Sequence, residues 1–307
     1  MIYFDSIGII YYVYIGIYNM IEELFKKLNG AFAKNTIRAY RSDYEDFAHW
    51  CQNHEIEPLN HEPSDMVFYI KERSVDLSTA TISRRITSLS SIFRFLTLPD
   101  TTKHADVFLQ LKKIKRQKGT AQQQAEPLTQ ERIEQLLPYC GEGKIRLRNI
   151  VMLKLGNETM RRRSELCEFK FSDIKVLPGD RYAMNLRFSK TDQNGRGKAI
   201  PISKELYELL MTWKDLAGDG YILRGINKYN NIMKQLTSSS VNRIVQDIQA
   251  RSDMETEYPF SGHSFRVGGA LDLLMRGVSM EKIMLRGGWS SESTVIKYLR
   301  AWDLMDD

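Results

Sequence analysis

SGHSFRVGGALDLLMRGVSMEKIMLRGGWSSESTVIKYLR, residues 261–300, combines a helical apolar period with a set of reactive side chains. Leu271, Leu274, Ile283, Val295 and Ile296 fall where consecutive amphipathic helices would bury them. Gly262 precedes the first helix, and His263 and Arg266 stand three apart on one face of it, so both can address one ligand. Trp289 follows two glycines, and Tyr298 sits on a polar-flanked apolar segment. Each of these residues is ordinary alone; a Tyr on an apolar helix is normally core. A chemical reading needs partners from elsewhere in the chain.

Upstream, MRRRSELCEF at 160–169 supplies them, with three arginines ahead of Ser164 and Glu165. Two well-separated guanidiniums suit an anionic phosphoryl group, because each can fork onto non-bridging oxygens and stabilise the charge of a pentacoordinate transition state. A carboxylate three residues on can hold one of them in place. Lys190 ends a strand-like run, where a flexible ammonium could protonate a departing alkoxide. A phenol such as Tyr298 becomes a nucleophile only with cationic neighbours and a proton acceptor. The other histidines, His49, His54, His61 and His104, all lie before residue 119, in the first unit, leaving His263 as the imidazole near this set. GEGK at 141–144 and GRGK at 195–198 lack phosphate-loop spacing. With no HExxH, EF-hand loop or carboxylate cluster, the expected chemistry uses neither metal nor other cofactor.

Before residue 119 the pattern is helical. NTIRAYRSDYEDFAHWCQNH places Ile37, Tyr40, Tyr44, Phe47 and Cys51 on one stripe, with Asn35 as the expected N-cap. PSDMVFYIKERS predicts a second helix and STATISRRITSLSSIFRFL a third, with Ile82, Ile86, Leu89 and Phe93 inward. The opposite face of the third, with Thr81, Ser83, Arg84 and Arg85, suits close approach to phosphates and base edges. Lys112, Lys113, Lys115, Arg116 and Lys118 place five positive charges in seven residues ahead of a stretch of linker composition. Such a basic segment could lie along a nucleic-acid backbone. Beyond Leu128 come helices at TQERIEQLLPYC, KIRLRNIVMLKLGNETM and RRRSELCEFKFSDI. A hairpin follows from RYAMNLRFSK through TDQNGRG to KAIPIS, then helices at KELYELLMTWKDLAG and SSSVNRIVQDIQARS, the latter carrying Arg243. The expected domains are an N-terminal extension at 1–30, a helical unit at 31–118, a linker at 119–128 and a second, mostly helical unit at 129–307.

At 307 residues, with 44 Lys and Arg against 38 Asp and Glu, the chain is long enough for two domains and carries a net charge of +6. That surplus permits a nucleic-acid partner. Cys51, Cys140 and Cys167 are scattered without a CxxC pair, as in a reduced intracellular protein. The apolar start MIYFDSIGIIYYVYIGIYNM lacks a basic n-region and a cleavage site and carries Asp5. It reads as a docked helix or strand, or an extension ahead of a start at Met20, with no membrane role expected.

The ordered set Arg, Lys, His-x-x-Arg, Trp and Tyr resembles the tyrosine site-specific recombinases, the phage integrase family. The Trp at 289 is similar to the Cre-like branch, and NTIRAYRSDYEDFAHWC resembles the first helix of its DNA-clasping domain. The resemblance covers residues 31–304 and implies a mainly α fold. That fold is a two-domain DNA clamp: a helical core-binding domain and a mostly helical catalytic domain with a small β-hairpin or sheet. It further implies that Arg162 and Arg266 clamp the scissile phosphate, with Glu165 orienting Arg162. Lys190 would be the general acid, His263 would assist proton transfer from Tyr298, and Trp289 would hydrogen-bond the phosphate. Tyr298 would form a 3′-phosphotyrosyl bond. Arg161 stands where the family has an apolar residue, which leaves the register open between Arg162 and Arg163; spacing to Glu165 favours Arg162. Only nine residues follow Tyr298, fewer than the tail that in such recombinases docks into a neighbouring subunit, so that exchange is reduced or the tail is absent from this sequence. The implied partners are double-stranded DNA with an inverted-repeat target, a homodimer on one site and a homotetramer in the synapse, which exchanges strands through a Holliday junction. The implied location is the cytoplasm, on the nucleoid of a bacterial or phage-encoded system. Rival readings are a type IB topoisomerase that relaxes DNA, and a catalytically silent DNA-binding protein of the same fold.

Overall fold

The computed structural model describes residues 6–119, 124–186 and 198–296; Lys190 and Tyr298 lie outside the described residues. The chain divides into two compact units, Met1–Gln123 and Gln124–Asp307.

The described elements of the first unit are helices, chiefly α1 (Ser6–Leu28), α2 (Lys34–Asn53), α3 (Pro63–Asp76), α4 (Thr79–Phe95) and α5 (Ala105–Lys118). The periodic stripes read from the sequence form its core, where Tyr44, Phe47, Cys51, Ile82, Ile86, Leu89 and Phe93 are buried; Ile37 and Tyr40 pack at its edge. Two observations correct the sequence reading and two extend it. Ile21, Leu24, Phe25 and Leu28 of α1 belong to this core, so the end of the supposed extension is integral to the unit. No described helix is long and apolar enough to cross a membrane. Ala33, not Asn35, is the N-cap of α2; Asn35 lies inside the first turn and accepts from Arg38 at 3.4 Å. The basic run forms the last turns of α5 and buries Ile114 among its charges.

Two buried or half-buried carboxylates on α2 knit the unit together. Asp43 accepts from Ser88 Oγ at 2.7 Å and pairs with Arg84. Asp46 accepts from Tyr69 Oη at 2.8 Å, from Arg73 Nε at 3.1 Å and from Arg85. One helix is thereby fixed to both α3 and α4, and the arginines return to the carboxylates the charge-assisted bonds they lose to burial.

In the second unit α6 (Gln130–Leu136) leads into α7 (Gly143–Thr159), whose buried residues include Val151, Met152, Leu153, Leu155, Gly156 and Thr159. A helix buried on so many sides is a central element. Short α8 (Arg163–Glu168) precedes β1 (Ile174–Leu177), β2 (Arg181–Leu186) and β3 (Lys198–Ile202), an antiparallel sheet ordered β1-β2-β3 in which Met184 faces Ile174 on one side and Ile200 on the other. Helices α9 (Lys204–Ala217), α10 (Ser238–Arg251), α11 (Ser264–Met275) and α12 (Met280–Gly287) follow, and residues 292–296 are helical. The predicted hairpin is present as β2 and β3, with its turn outside the described residues. The linker assigned to 119–128 is shorter than expected: Leu128 is fully buried in this unit and donates to Ser264 O at 3.0 Å, and buried Glu126 pairs with Arg132 at 3.0 Å.

Gly268 of α11 makes that seam possible, because a Cβ there would lie 2.1 Å from Leu128 O and 2.7 Å from Leu128 N. Backbone cannot retreat as a side chain can, so Gly268→Ala should destabilise the second unit by about 3 kcal/mol. Gly16 of α1 has nothing within 4 Å of its added Cβ, so Gly16→Ala should be neutral or stabilising by up to about 1 kcal/mol. Urea unfolding followed by tryptophan fluorescence checks both.

Candidate active site

The site forms around the place where α7 stops. Met160 takes a left-handed conformation at φ 50° and its N–H donates to Gly156 O, which turns the chain sharply. Arg161 and Arg162 follow before α8 starts. Glu165, in the first turn of α8, accepts from the Arg162 backbone N–H at 3.3 Å and from Arg162 Nη1 at 2.8 Å. Main chain and guanidinium of Arg162 are thus held by one carboxylate, itself only 8 % exposed. Arg163 is exposed. Of the two arginines left open by the sequence, Arg162 is the one that Glu165 grips.

His263 is the N-cap of α11 and Arg266 lies in its first turn. Arg266 is 2 % exposed. Its Nη1 donates to Met160 O at 2.6 Å and Gly287 O at 3.1 Å, and its Cζ lies 4.4 Å from the ring centre of Trp289. The tryptophan thus meets this arginine through its face. A cleft of about 290 Å³ is lined by Arg162, Arg163, Asn242, Ser261, Gly262, His263 and Arg266. Gly262 permits the close approach, since a Cβ would sit 2.7 Å from Arg163 Cβ, and its N–H donates to Asn242 Oδ1 at 2.8 Å.

The cleft is cationic, with Glu165 the carboxylate beneath it. Burial holds the His263 imidazole below its ordinary value of 6.5, and Arg266 and Arg162 push in the same direction. At neutral pH the ring is therefore uncharged and has a lone pair to accept a proton. Arg161 is 1 % exposed and burial pulls it down to about 10, so it stays protonated at neutral pH. Burial and Arg161 together hold Lys198 below its usual range. Among the described residues no cluster of His, Cys, Asp or Glu could hold a metal. The three cysteines are free and buried. Fixed guanidiniums beside a neutral imidazole can bind a phosphoryl oxyanion and take up a proton.

Of the predicted catalytic residues, Arg162, Glu165, His263, Arg266 and Trp289 come together here; Lys190 and Tyr298 fall outside the described residues. Sequence reasoning missed three contributors: Asn242, which anchors the loop before His263, and Arg161 and Arg286, both bonded to main-chain carbonyls. No local pattern distinguishes Asn242 and Arg286 from surface polar residues; for Arg161 the one signal is that it stands where the family has an apolar residue.

On the first unit, Asn35, Thr36, Tyr40, Ser83, Arg84, Thr87 and Ser88 line a groove between α2 and α4. Ser83 Oγ is buried there with no hydrogen-bond partner among the described residues. Thr81 shares a 3.0 Å hydroxyl contact with Ser78, and Arg84 stays half exposed beside Asp43. Arg85 is mostly buried between Asp43 and Asp46, and Lys118 Nζ donates to the Val75 and Leu77 carbonyls at 3.2 and 3.3 Å. These two therefore serve the unit's own structure. Lys112, Lys113, Lys115, Arg116 and, on the second unit, Arg243 are exposed.

Residues 126–304 match the phage integrase family, and residues 21–98 match the N-terminal SAM-like domain of phage integrases. An integrase/recombinase xerD homolog from Selenomonas ruminantium is 30% identical over 295 residues, covering 92% of this chain and 86% of the relative. Recombinase cre of Escherichia phage P1 is 25% identical, covering 89% and 86%. Among solved structures, a lambda integrase tetramer bound to a Holliday junction shares the fold, with a TM-score of 0.65 at 18% identity over 92% of this chain and 76% of that one.

The imidazole gives a direct test. In NMR titration His263 should show a midpoint below 6.5, and Arg162→Gln should raise it by removing one of the two cations. Between that midpoint and 6.5 the unfolded chain takes up this proton before the folded chain does, so acidification through the window should lower stability.

Proposed function

The chain belongs to the phage integrase family, and we propose that it is a site-specific DNA recombinase that cuts and rejoins strands through Tyr298. The observation that carries the assignment of roles is the convergence of Glu165-braced Arg162 and of Arg266 on one cleft beside a neutral His263.

The proposed step is a transesterification. Tyr298 Oη attacks the scissile phosphorus, its proton passing to His263, while Arg162 and Arg266 hold the non-bridging oxygens. As the P–O5′ bond breaks, Lys190 gives a proton to the departing 5′-oxygen. Trp289, stacked on Arg266, keeps that guanidinium facing the phosphate. One phosphoester replaces another, so the bond energy is retained and the reverse attack by a 5′-hydroxyl rejoins DNA. Repeating the exchange on two duplexes passes through a Holliday junction.

Affinity for duplex DNA is proposed to come from both units, closing as a clamp. Thr81, Ser83 and Arg84 would face the groove of the target, and a polar ligand there would supply the partner that Ser83 Oγ lacks. Lys112, Lys113, Lys115, Arg116 and Arg243 would contact phosphates. A dimer on an inverted-repeat site and a tetramer in the synapse are proposed by analogy with the lambda integrase assembly, with the bacterial nucleoid as the place of action. The match of residues 21–98 to the integrase N-terminal domain favours recombination over simple relaxation of supercoils.

A nicked suicide duplex tests this reading, its site selected from a randomised pool by binding. The unaltered chain should form a covalent adduct and Tyr298→Phe none; a binding-only protein would form none at all. Arg162→Ala or Arg266→Ala should slow adduct formation by about 10²–10³. As pH falls the rate should decline with a midpoint below 6.5, as His263 loses its lone pair. DNA affinity should fall steeply with salt, and a flat response would remove the phosphate contacts from the scheme.

A further inference from the structure

Three consecutive carbonyls at the end of α7 each receive a different guanidinium. Glu158 O accepts from Arg286 Nε and Nη2 at 3.2 and 3.1 Å, Thr159 O from Arg161 Nε at 2.9 Å, and Met160 O from Arg266 Nη1 at 2.6 Å. A second row of carbonyls faces them at the end of α12. Arg161 Nη2 donates to Arg286 O, and Arg266 Nη1 to Gly287 O at 3.1 Å. Two helix C-termini, each with orphan carbonyls and partial negative charge, thus meet across a layer of arginine.

Within that layer Arg161 touches no open surface. It is 1 % exposed, and a Cβ on Gly288 would come within 3.2 Å of its Nη1. Its Nη1 also lies 4.0 Å from Glu165 Oε2, the carboxylate that grips Arg162. One side chain therefore connects the brace of Arg162 to the turn that ends in Trp289, the ring against Arg266.

Resting on the recombinase reading above, we infer that Arg161 is a positioning residue for strand cleavage: by bridging Thr159 O and Arg286 O it fixes the distance between Arg162 and the Arg266–Trp289 pair. Being buried, it acts through them and not on DNA. Loss of the bridge leaves two carbonyls without their donor and lets the end of α12 shift against α7. A displacement of about 1 Å in a clamp of this kind can cost a hundredfold in rate.

Arg161→Met removes both donors at similar length, and Arg161→Lys keeps the charge but cannot fork across two carbonyls. Single-turnover adduct formation on the suicide duplex separates positioning from folding, because the rate constant reports the former and the amplitude the active fraction. At saturating DNA, Arg161→Met should lower the rate constant by between about tenfold and a hundredfold while the half-saturating DNA concentration changes less than about twofold. Arg161→Lys should also be slower, and it decides the matter if Arg161→Met does not fold. A reduced amplitude with an unchanged rate constant overturns the inference alone, because the bridge would then be structural. Absence of any adduct with the unaltered chain overturns the recombinase reading and the inference with it.

Discussion

The end of α7 is the constraint on which the catalytic unit depends. A helix this buried terminates inside the protein, where water cannot satisfy its last carbonyls, and each must find a donor from the fold. Arg161, Arg266 and Arg286 answer that need from the α7–α8 connection, α11 and α12. Satisfying one helix end therefore assembles four segments at a point. The cleft opens beside that point, and Arg266 belongs to both the support and the cleft.

Charge is arranged on the same plan in both units. In the first, Asp43 and Asp46 draw arginines and a tyrosine onto α2, and the opposed charges are nearly balanced inside. In the second, cations outnumber Glu165 around the cleft, and burial, aided by the excess positive field, keeps His263 neutral. The first arrangement builds a rigid helical unit; the second leaves uncompensated charge facing a space, which is a site for an anion.

Much of this was legible in the chain. Stripes of Tyr44, Phe47 and Cys51, or of Ile82, Ile86 and Phe93, follow the helical period because burial enforces it. The spacing of Arg162 to Glu165 and of His263 to Arg266 is local, so it survives as a motif. Strand β1 was not legible: in IKVL only Ile174 turns toward the core, and an edge strand with three exposed residues has no alternation to read. Nor was the burial of Arg161, whose acceptor at residue 286 is remote in sequence and is a main-chain atom, carried by every residue type. Arg85 and Lys118 misled for the same reason, since a cation engaged with an internal carboxylate or helix end looks like a free one until folded.

That the acceptors around α7 are backbone oxygens has a consequence for how such a site changes over generations. A carbonyl is present whatever codon occupies its position, so substitutions at Glu158, Thr159 or Met160 leave the acceptor in place provided the turn is kept. The information that aligns these segments resides in three arginine codons and a turn. Neighbouring side chains are released to drift, and the unit can alter its surface and its target while the alignment beneath is inherited unchanged.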